Sequence, residues 1–119
     1  MDHELEVRYI GGGKGRGVFA RRAWRRRQVI ERCHIYAIVN HQRAFEIEGL
    51  DDYELAWGHR KVAFAGGYAH LYNHSARPNV SFERDLMRGF IVVRALRAIA
   101  IGDELCHKYA CPPWFTVAE

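Results

Sequence analysis

The chain has 119 residues, of which 49% are hydrophobic and 27% are charged, and this predicts one globular domain over residues 1–119. No run of about 18 apolar residues occurs, which excludes a membrane-spanning helix, and the charged start lacks the apolar stretch of a signal peptide. The odd set of three cysteines predicts free thiols in a reducing, intracellular compartment. The net charge of +4 favours an acidic partner.

Alternating and β-branched residues predict strands along most of the chain. Turn signals at Gly89 and at Gly102-Asp103 separate the later strands. The helix signal is confined to one short insert near residues 50–58. No helical pattern follows any strand for long enough to form a βαβ unit, so the fold class is mainly β. The predicted strands cover 5–9, 18–20, 28–38, 79–83, 90–95, 98–101 and 104–109.

The stretch GGGKGRGVFA, residues 11–20, is rich in glycine but fits neither common phosphate-binding loop. A dinucleotide fingerprint needs a helix after its glycines, and here Val18 opens a predicted strand. A P-loop needs Ser or Thr after its Gly-Lys pair, and here Gly15 follows Lys14. Two interpretations remain, a flexible hairpin loop and a backbone surface that a ligand can approach closely.

The stretch RRAWRRR, residues 21–27, holds five arginines. It is either a solvated loop between strands or a contact surface for an acidic partner. Nucleic acid is one such partner, although one cluster with a single interleaved tryptophan is a weak signal for it.

Two further segments, AHLYNHSARPNV at 69–80 and RAIAIGDELCHKYA at 97–110, change the interpretation of the glycine loop. Together with GKGRGVFA they resemble, in order and spacing, the SET-domain protein-lysine methyltransferases, and most of all the very short viral and bacterial members. The most specific strings are NHS followed by PN, and GDEL followed by a tyrosine. The resemblance implies small twisted sheets around a pseudoknot. It also implies methyl transfer from S-adenosylmethionine to a lysine of a protein, with histones as the best-known substrates.

The resemblance assigns a cofactor site to two stretches and one aromatic residue. The backbone of the glycine loop would hold the amino-acid end of S-adenosylmethionine. The NHS string would contact the carboxylate side of the cofactor's methionine part and the adenine, and the tryptophan would form a lid. An alternative for the NHS string, which holds within the family at the same time, is a buried polar network that stabilises the chain crossing. The residues assigned to the cofactor are Lys14, Gly15, Arg16, Asn73, His74 and Trp114.

The resemblance places Tyr109 as the catalytic residue, where the lysine channel meets the methyl group. A free lysine has a pKa of about 10.4 and is protonated at neutral pH, so its amine must be deprotonated and then aimed at the methyl carbon. Tyr68 and His107 are expected to line the channel. His107 departs from the family, which usually has an aromatic or aliphatic residue there. It would either form a hydrogen bond with the amine or a water, which would restrict methylation, or in protonated form repel the substrate ammonium. Arg27 stands where a turn glycine is common and would be strained by a positive φ.

Several other hypotheses follow from the same residues. His70 and His74 have the spacing of a helical metal pair but lack a third ligand, so no metal site is predicted. Cys106, His74 and Asn79 are the residue types of a thiol hydrolase, without its nucleophile turn.

The stronger alternative is a catalytically weak SET-like module that binds a lysine-bearing peptide or nucleic acid. A homodimer would cover the exposed apolar edge of so small a domain. The compartment would be the bacterial cytoplasm or, for a viral protein, the host cell or its nucleus.

Overall fold

The computed structural model describes residues 4–11, 15–40, 55–56 and 61–108, and every structural statement below concerns these residues. They contain strands, turns and bends but no helix, and therefore no helix long and apolar enough to cross a membrane. The strands are β1 (Leu5–Tyr9), β2 (Arg16–Ala20), β3 (Val29–Asn40), β4 (Leu55–Ala56), β5 (Lys61–Ala65), β6 (Asn73–His74), β7 (Val80–Asp85), β8 (Phe90–Ala95) and β9 (Glu104–His107).

The first sheet has the strand order β1-β2-β9-β6. β1 and β2 form an antiparallel hairpin, and β9 adds antiparallel to β2, with Leu105 opposite Val18. β6 then pairs with β9 in the parallel direction. A parallel pair cannot be closed by a tight turn, so the chain must travel through another part of the molecule between these two strands. It does so through β7 and β8 of the second sheet.

The second sheet is antiparallel and has the strand order β4-β5-β3-β8-β7. β8 lies between β3 and β7, and its Ile91, Val92 and Val93 are all buried. The turn between β7 and β8 ends at Gly89, whose φ of 73° suits glycine and whose amide donates to the carbonyl of Asp85. The turn predicted at this glycine is therefore confirmed.

The hydrophobic core joins the two sheets. Val18 and Leu105 enter it from the first sheet, and Ile91 and Val93 enter it from the second, each at 0% exposure. Burying a side chain of this kind contributes about 1.5–3 kcal/mol, so these positions hold the two sheets against each other. Trp24, from the arginine-rich stretch, is also buried, and its backbone pairs with Ile99.

The mainly β class is confirmed, but two local predictions are wrong. Leu55 and Ala56 form β4, not the predicted short helix, and the other residues of that insert lie outside the described ranges. Residues 98–101 contribute only the bridge at Ile99, because the chain turns at Gly102. Tyr68 lies in the turn that follows β5.

Candidate functional site

The centre of the site is the place where residues 73–79 run alongside β9. Asn73 lies opposite Cys106 and His74 opposite His107 in the parallel pair. The Ser75 amide donates to the His107 carbonyl at 3.0 Å, and the Asn79 amide donates to the Cys106 carbonyl at 3.1 Å. β9 therefore has β2 on one side and the NHS segment on the other.

Asn79 fastens this crossing with its side chain. Its Nδ2 donates to the Glu104 carbonyl at 2.8 Å, and its Oδ1 accepts from the Cys106 amide at 2.8 Å. The residue is only 7% exposed. Since a buried backbone group without a partner is costly, this one amide satisfies the irregular backbone that the crossing creates. Its donor and acceptor both serve β9, which is a structural role rather than the orienting role of a hydrolase asparagine.

Asn73 joins the same crossing to the glycine loop. Its Nδ2 donates to the Arg16 carbonyl at 3.0 Å and to Oε2 of Glu104 at 2.7 Å. Both amide hydrogens are therefore used within the protein, which leaves Oδ1 and the backbone for other contacts. The close approach depends on Gly17, because a Cβ there would lie 2.5 Å from Glu104 Oε2 and 3.0 Å from Asn73 Nδ2.

Gly15 presents open backbone beside this junction. Its φ of 67° lies in the left-handed region, and no heavy atom comes within 4 Å of the position a Cβ would take. The Gly15 carbonyl accepts from the Ile10 amide at 2.7 Å, which closes the β1–β2 hairpin. The structure thus brings Gly15, Arg16, Asn73 and His74 to adjoining strand ends.

His107 is buried in the same crossing. It is 5% exposed and stacks flat on Phe82, with ring centroids 3.9 Å apart and 4° between the planes. Burial is the main reason why the pKa of His107 is lowered to about 3, and the nearby Arg84 and His74 are smaller causes of the same shift. The imidazole is therefore neutral at physiological pH, so the electrostatic repulsion that a protonated His107 would exert does not arise.

A second polar cluster lies behind the turn that precedes the NHS string. Glu31 of β3 accepts from the Tyr68 amide at 3.2 Å and from the Tyr72 hydroxyl. Burial, with Glu31 as the next cause, raises the pKa of Cys33 to about 12 and raises that of Tyr72 well above its usual value. Both groups stay protonated, so this cluster holds the turn and supplies no thiolate or phenolate nucleophile.

Sequence reasoning missed the partners that hold these residues. The sequence pattern could have identified Glu31, because the alternation along β3 places its carboxylate on the same inward face as Cys33 and Ile35. No sequence pattern identifies Glu104 or Phe82 as a partner of the site residues. Glu104 is 31 positions from Asn73, and no local pattern pairs residues at such a distance.

Three of the residues that the sequence singled out, Lys14, Tyr109 and Trp114, lie outside the described residues. Within the described residues, no group of three or more His, Cys, Asp or Glu side chains could hold a metal ion. His70 and His74 do not share a helix, since His70 lies in a turn and its Nε2 accepts from the Ala65 amide at 2.8 Å. Cys33 and Cys106 are both free thiols.

Comparisons with known proteins agree with this geometry. The profile of the SET domain matches residues 15–110. A Schizosaccharomyces pombe protein named histone-lysine N-methyltransferase, H3 lysine-37 specific, is 30% identical over 104 residues, which are 86% of this chain and 71% of that protein. A crystal structure from Plasmodium falciparum, described as a candidate histone methyltransferase, superposes with a TM-score of 0.70 at 26% identity. The superposition covers 97% of this chain and 100% of the other.

The profile match includes the glycine loop from Gly15 onward, the NHS crossing and β9, which are the parts that the structure joins by hydrogen bonds. The sequence-based identification is confirmed: the chain belongs to the SET-domain family of protein-lysine methyltransferases.

Proposed function

We propose that this protein transfers a methyl group from S-adenosylmethionine to the ε-nitrogen of a lysine in a histone, with Tyr109 as the catalytic residue. The observation that carries the proposal is the junction of Arg16, Asn73 and Glu104 beside the open backbone of Gly15. It brings together the glycine loop and the NHS string, which are separated by 57 positions between Arg16 and Asn73. Histone as the substrate class is supported by the names of the two relatives.

The residues present fit S-adenosylmethionine. The empty space on Gly15 lets a ligand reach the main chain, and the exposed guanidinium of Arg16 offers a positive charge for a carboxylate. Asn73 and His74 lie in the crossing beside this loop, and Asn73 is joined to it by its hydrogen bond to the Arg16 carbonyl. We infer that these residues, with Lys14 and Trp114, bind the cofactor. When bound, it supplies a methyl group activated by its positively charged sulfur.

The chain's own part in catalysis is to deprotonate, desolvate and aim the lysine amine. We infer that His107 forms an apolar wall of the channel, since it is neutral and fixed by its stack on Phe82. A neutral wall excludes water without adding a positive charge, and low polarity favours the uncharged amine. Tyr68 would narrow the entrance, and its turn is anchored by Glu31. Tyr109 follows His107 by two residues, and its hydroxyl would orient the amine nitrogen.

Three further expectations stay part of this proposal. We expect the domain over residues 1–119 to act as a homodimer that covers its apolar edge, and we expect it in an intracellular compartment. Its groove would bind the substrate as an extended strand. The resemblance to short viral and bacterial members also stays a prediction, because the two relatives compared are eukaryotic.

The test is mass spectrometry of a histone mixture incubated with the protein and S-adenosylmethionine. We expect methylated lysine with wild type and a loss of at least about a hundredfold in rate with Tyr109→Phe, within the range of positioned catalytic groups. Tyr36→Phe is the matched control, because Tyr36 is 72% exposed on β3. Calorimetry with S-adenosylhomocysteine should show binding to all three proteins.

Two results would overturn the proposal. Methylation that survives Tyr109→Phe unchanged would remove this residue from the mechanism. Binding of the cofactor product without transfer to any protein would leave the alternative of a catalytically weak binding module.

A further inference from the structure

The arginine-rich stretch is built into a defined surface, outside the site described above. Residues 24–28 run antiparallel to residues 95–99. Trp24 and Ile99 exchange backbone hydrogen bonds of 3.0 and 2.9 Å at one end, and Gln28 accepts from the Ala95 amide at 2.9 Å at the other. Arg97 donates from Nη2 to the carbonyl of Arg77 at 3.3 Å, which places a further exposed arginine beside these two segments. We call the exposed arginines of this surface the arginine ridge: Arg25, Arg26, Arg27, Arg77 and Arg97.

Among the residues that the structure describes, no carboxylate neutralises the charges of the arginine ridge. Elsewhere the described arginines often have such partners, as Arg22 does with Glu4 at 3.1 Å and Arg94 does with Glu83 at 2.9 Å. Within the described residues, no ridge arginine forms an ion pair with a carboxylate. Five like charges on one exposed surface repel each other, and an anionic partner would relieve that repulsion.

Arg27 adds an independent observation. Its φ of 76° lies in the left-handed region, where an L side chain is strained and glycine is not. Its backbone is held there by two bonds, from its own amide to the Ala95 carbonyl and from Arg94 Nη1 to its own carbonyl. A strained residue at an exposed turn, where glycine would fit better, points to a role for its side chain.

The surface chemistry selects among anionic partners. Guanidinium groups match phosphate oxygens with two parallel hydrogen bonds. Single-stranded nucleic acids are bound by stacking their bases on aromatic side chains. The aromatic residue between these arginines, Trp24, is 3% exposed and packs into the core. Trp24 therefore offers no exposed aromatic face, and the ridge provides charge and hydrogen bonds, which suits the regular phosphate backbone of a duplex.

We propose that the arginine ridge binds the phosphate backbone of duplex DNA without reading its sequence. This inference goes beyond the proposed methyl transfer and does not depend on it. It would also relieve an electrostatic conflict, because a protein of net charge +4 does not attract a basic histone tail by itself. DNA bound to the histone would provide that attraction, because its phosphates are negatively charged and the arginine ridge is positively charged.

The experiment measures fluorescence anisotropy of a short labelled duplex titrated with the full chain at salt concentrations from about 50 to 200 mM. For four or five phosphate contacts, we expect the wild-type Kd to rise about 150- to 500-fold over this range. The test variant is Arg25→Gln/Arg26→Gln/Arg97→Gln. It should weaken binding at least about tenfold at low salt and reduce the logarithmic salt slope by about three.

The matched control is Arg8→Gln/Arg32→Gln/Arg88→Gln, which removes the same three charges from other described surfaces. We expect it to keep the wild-type salt slope. Thermal unfolding of each variant tests whether the fold is retained. Arg27→Gly serves as a second probe, because we expect this variant to bind DNA more weakly and to unfold at a higher temperature.

The proposal is overturned if both triple variants lose affinity equally, since binding would then reflect overall charge. It is also overturned if single-stranded RNA of the same length binds more tightly than the duplex. Binding to phosphatidylserine vesicles together with no binding to the duplex would overturn it as well. These readouts involve no methyl transfer, so their failure is distinct from a failure of the proposed activity.

Discussion

Glu104 accepts a hydrogen bond of 2.7 Å from the side-chain amide of Asn73, and this contact connects the NHS string to β9. The same amide donates to the carbonyl of Arg16 at the start of β2. Three strands of the first sheet are thereby held by one side chain. The geometry of the proposed cofactor site depends on this contact, since Gly15 and His74 are neighbours of the residues it joins.

Gly17→Ala tests how closely this junction is packed. The new Cβ would lie 2.5 Å from Glu104 Oε2 and 2.6 Å from Ile10 Cδ1, so the carboxylate must move away from Asn73. We expect a loss of about 1–3 kcal/mol in the free energy of unfolding, measured by urea denaturation, together with weaker binding of S-adenosylhomocysteine. The control is Gly66→Ala, where no atom lies within 4 Å of the new Cβ. Equal effects of the two substitutions would contradict the packing argument.

His107 predicts a specific dependence of stability on pH. Its pKa is about 3 in the folded protein and about 6.5 in the unfolded chain, so between these values the unfolded state binds the extra proton. This contribution to stability is complete above pH 6.5 and is lost as the pH falls toward 3, at up to about 1.4 kcal/mol per pH unit.

The measurement compares urea denaturation at several pH values for wild type and His107→Phe, which keeps an aromatic ring against Phe82. The substitution should reduce the slope of stability against pH below about 6.5 by close to one proton. Identical slopes for the two proteins would show that His107 is not buried in neutral form.

Glu31 and Tyr72 are expected to act as a coupled pair. Tyr72→Phe removes the hydroxyl that donates to Glu31, and Glu31→Gln leaves one acceptor oxygen for two donors, the Tyr68 amide and the Tyr72 hydroxyl. We expect each single substitution to cost about 1–3 kcal/mol of unfolding free energy, with a coupling of at least about 0.5 kcal/mol in the double variant. Simple additivity in this double-mutant cycle would mean that the two side chains contribute independently.

Arg27→Gly is expected to stabilise the fold. It relieves a φ of 76° that costs an L-residue about 1–2 kcal/mol, and both backbone hydrogen bonds at this position can persist. Part of the gain is offset by the greater freedom of glycine in the unfolded chain, so the net effect should be about 1 kcal/mol. Calorimetry should show a Tm several degrees higher, and an unchanged or lower Tm would contradict the strain.

Several features of this fold were predictable because their causes are local. The turn glycine Gly89 and the alternating residues of β1 act within a few positions of the chain, and both were predicted correctly. The strain at Arg27 was anticipated from a position where glycine is common, and its φ is indeed positive. Leu55 and Ala56 were predicted wrongly, because two residues carry little propensity and their pairing with β5 decides their conformation.

What the sequence determined by itself was the family, the mainly β class and the candidate residues, since motif strings and strand periodicity are written in neighbouring positions. Only the tertiary structure decided how those residues are used. The donors of the Asn73 amide are taken up by Arg16 and Glu104, and His107 is kept neutral by burial against Phe82. Hydrogen-bond partners and desolvation depend on which distant segments meet, and that is settled when the two sheets pack around one core.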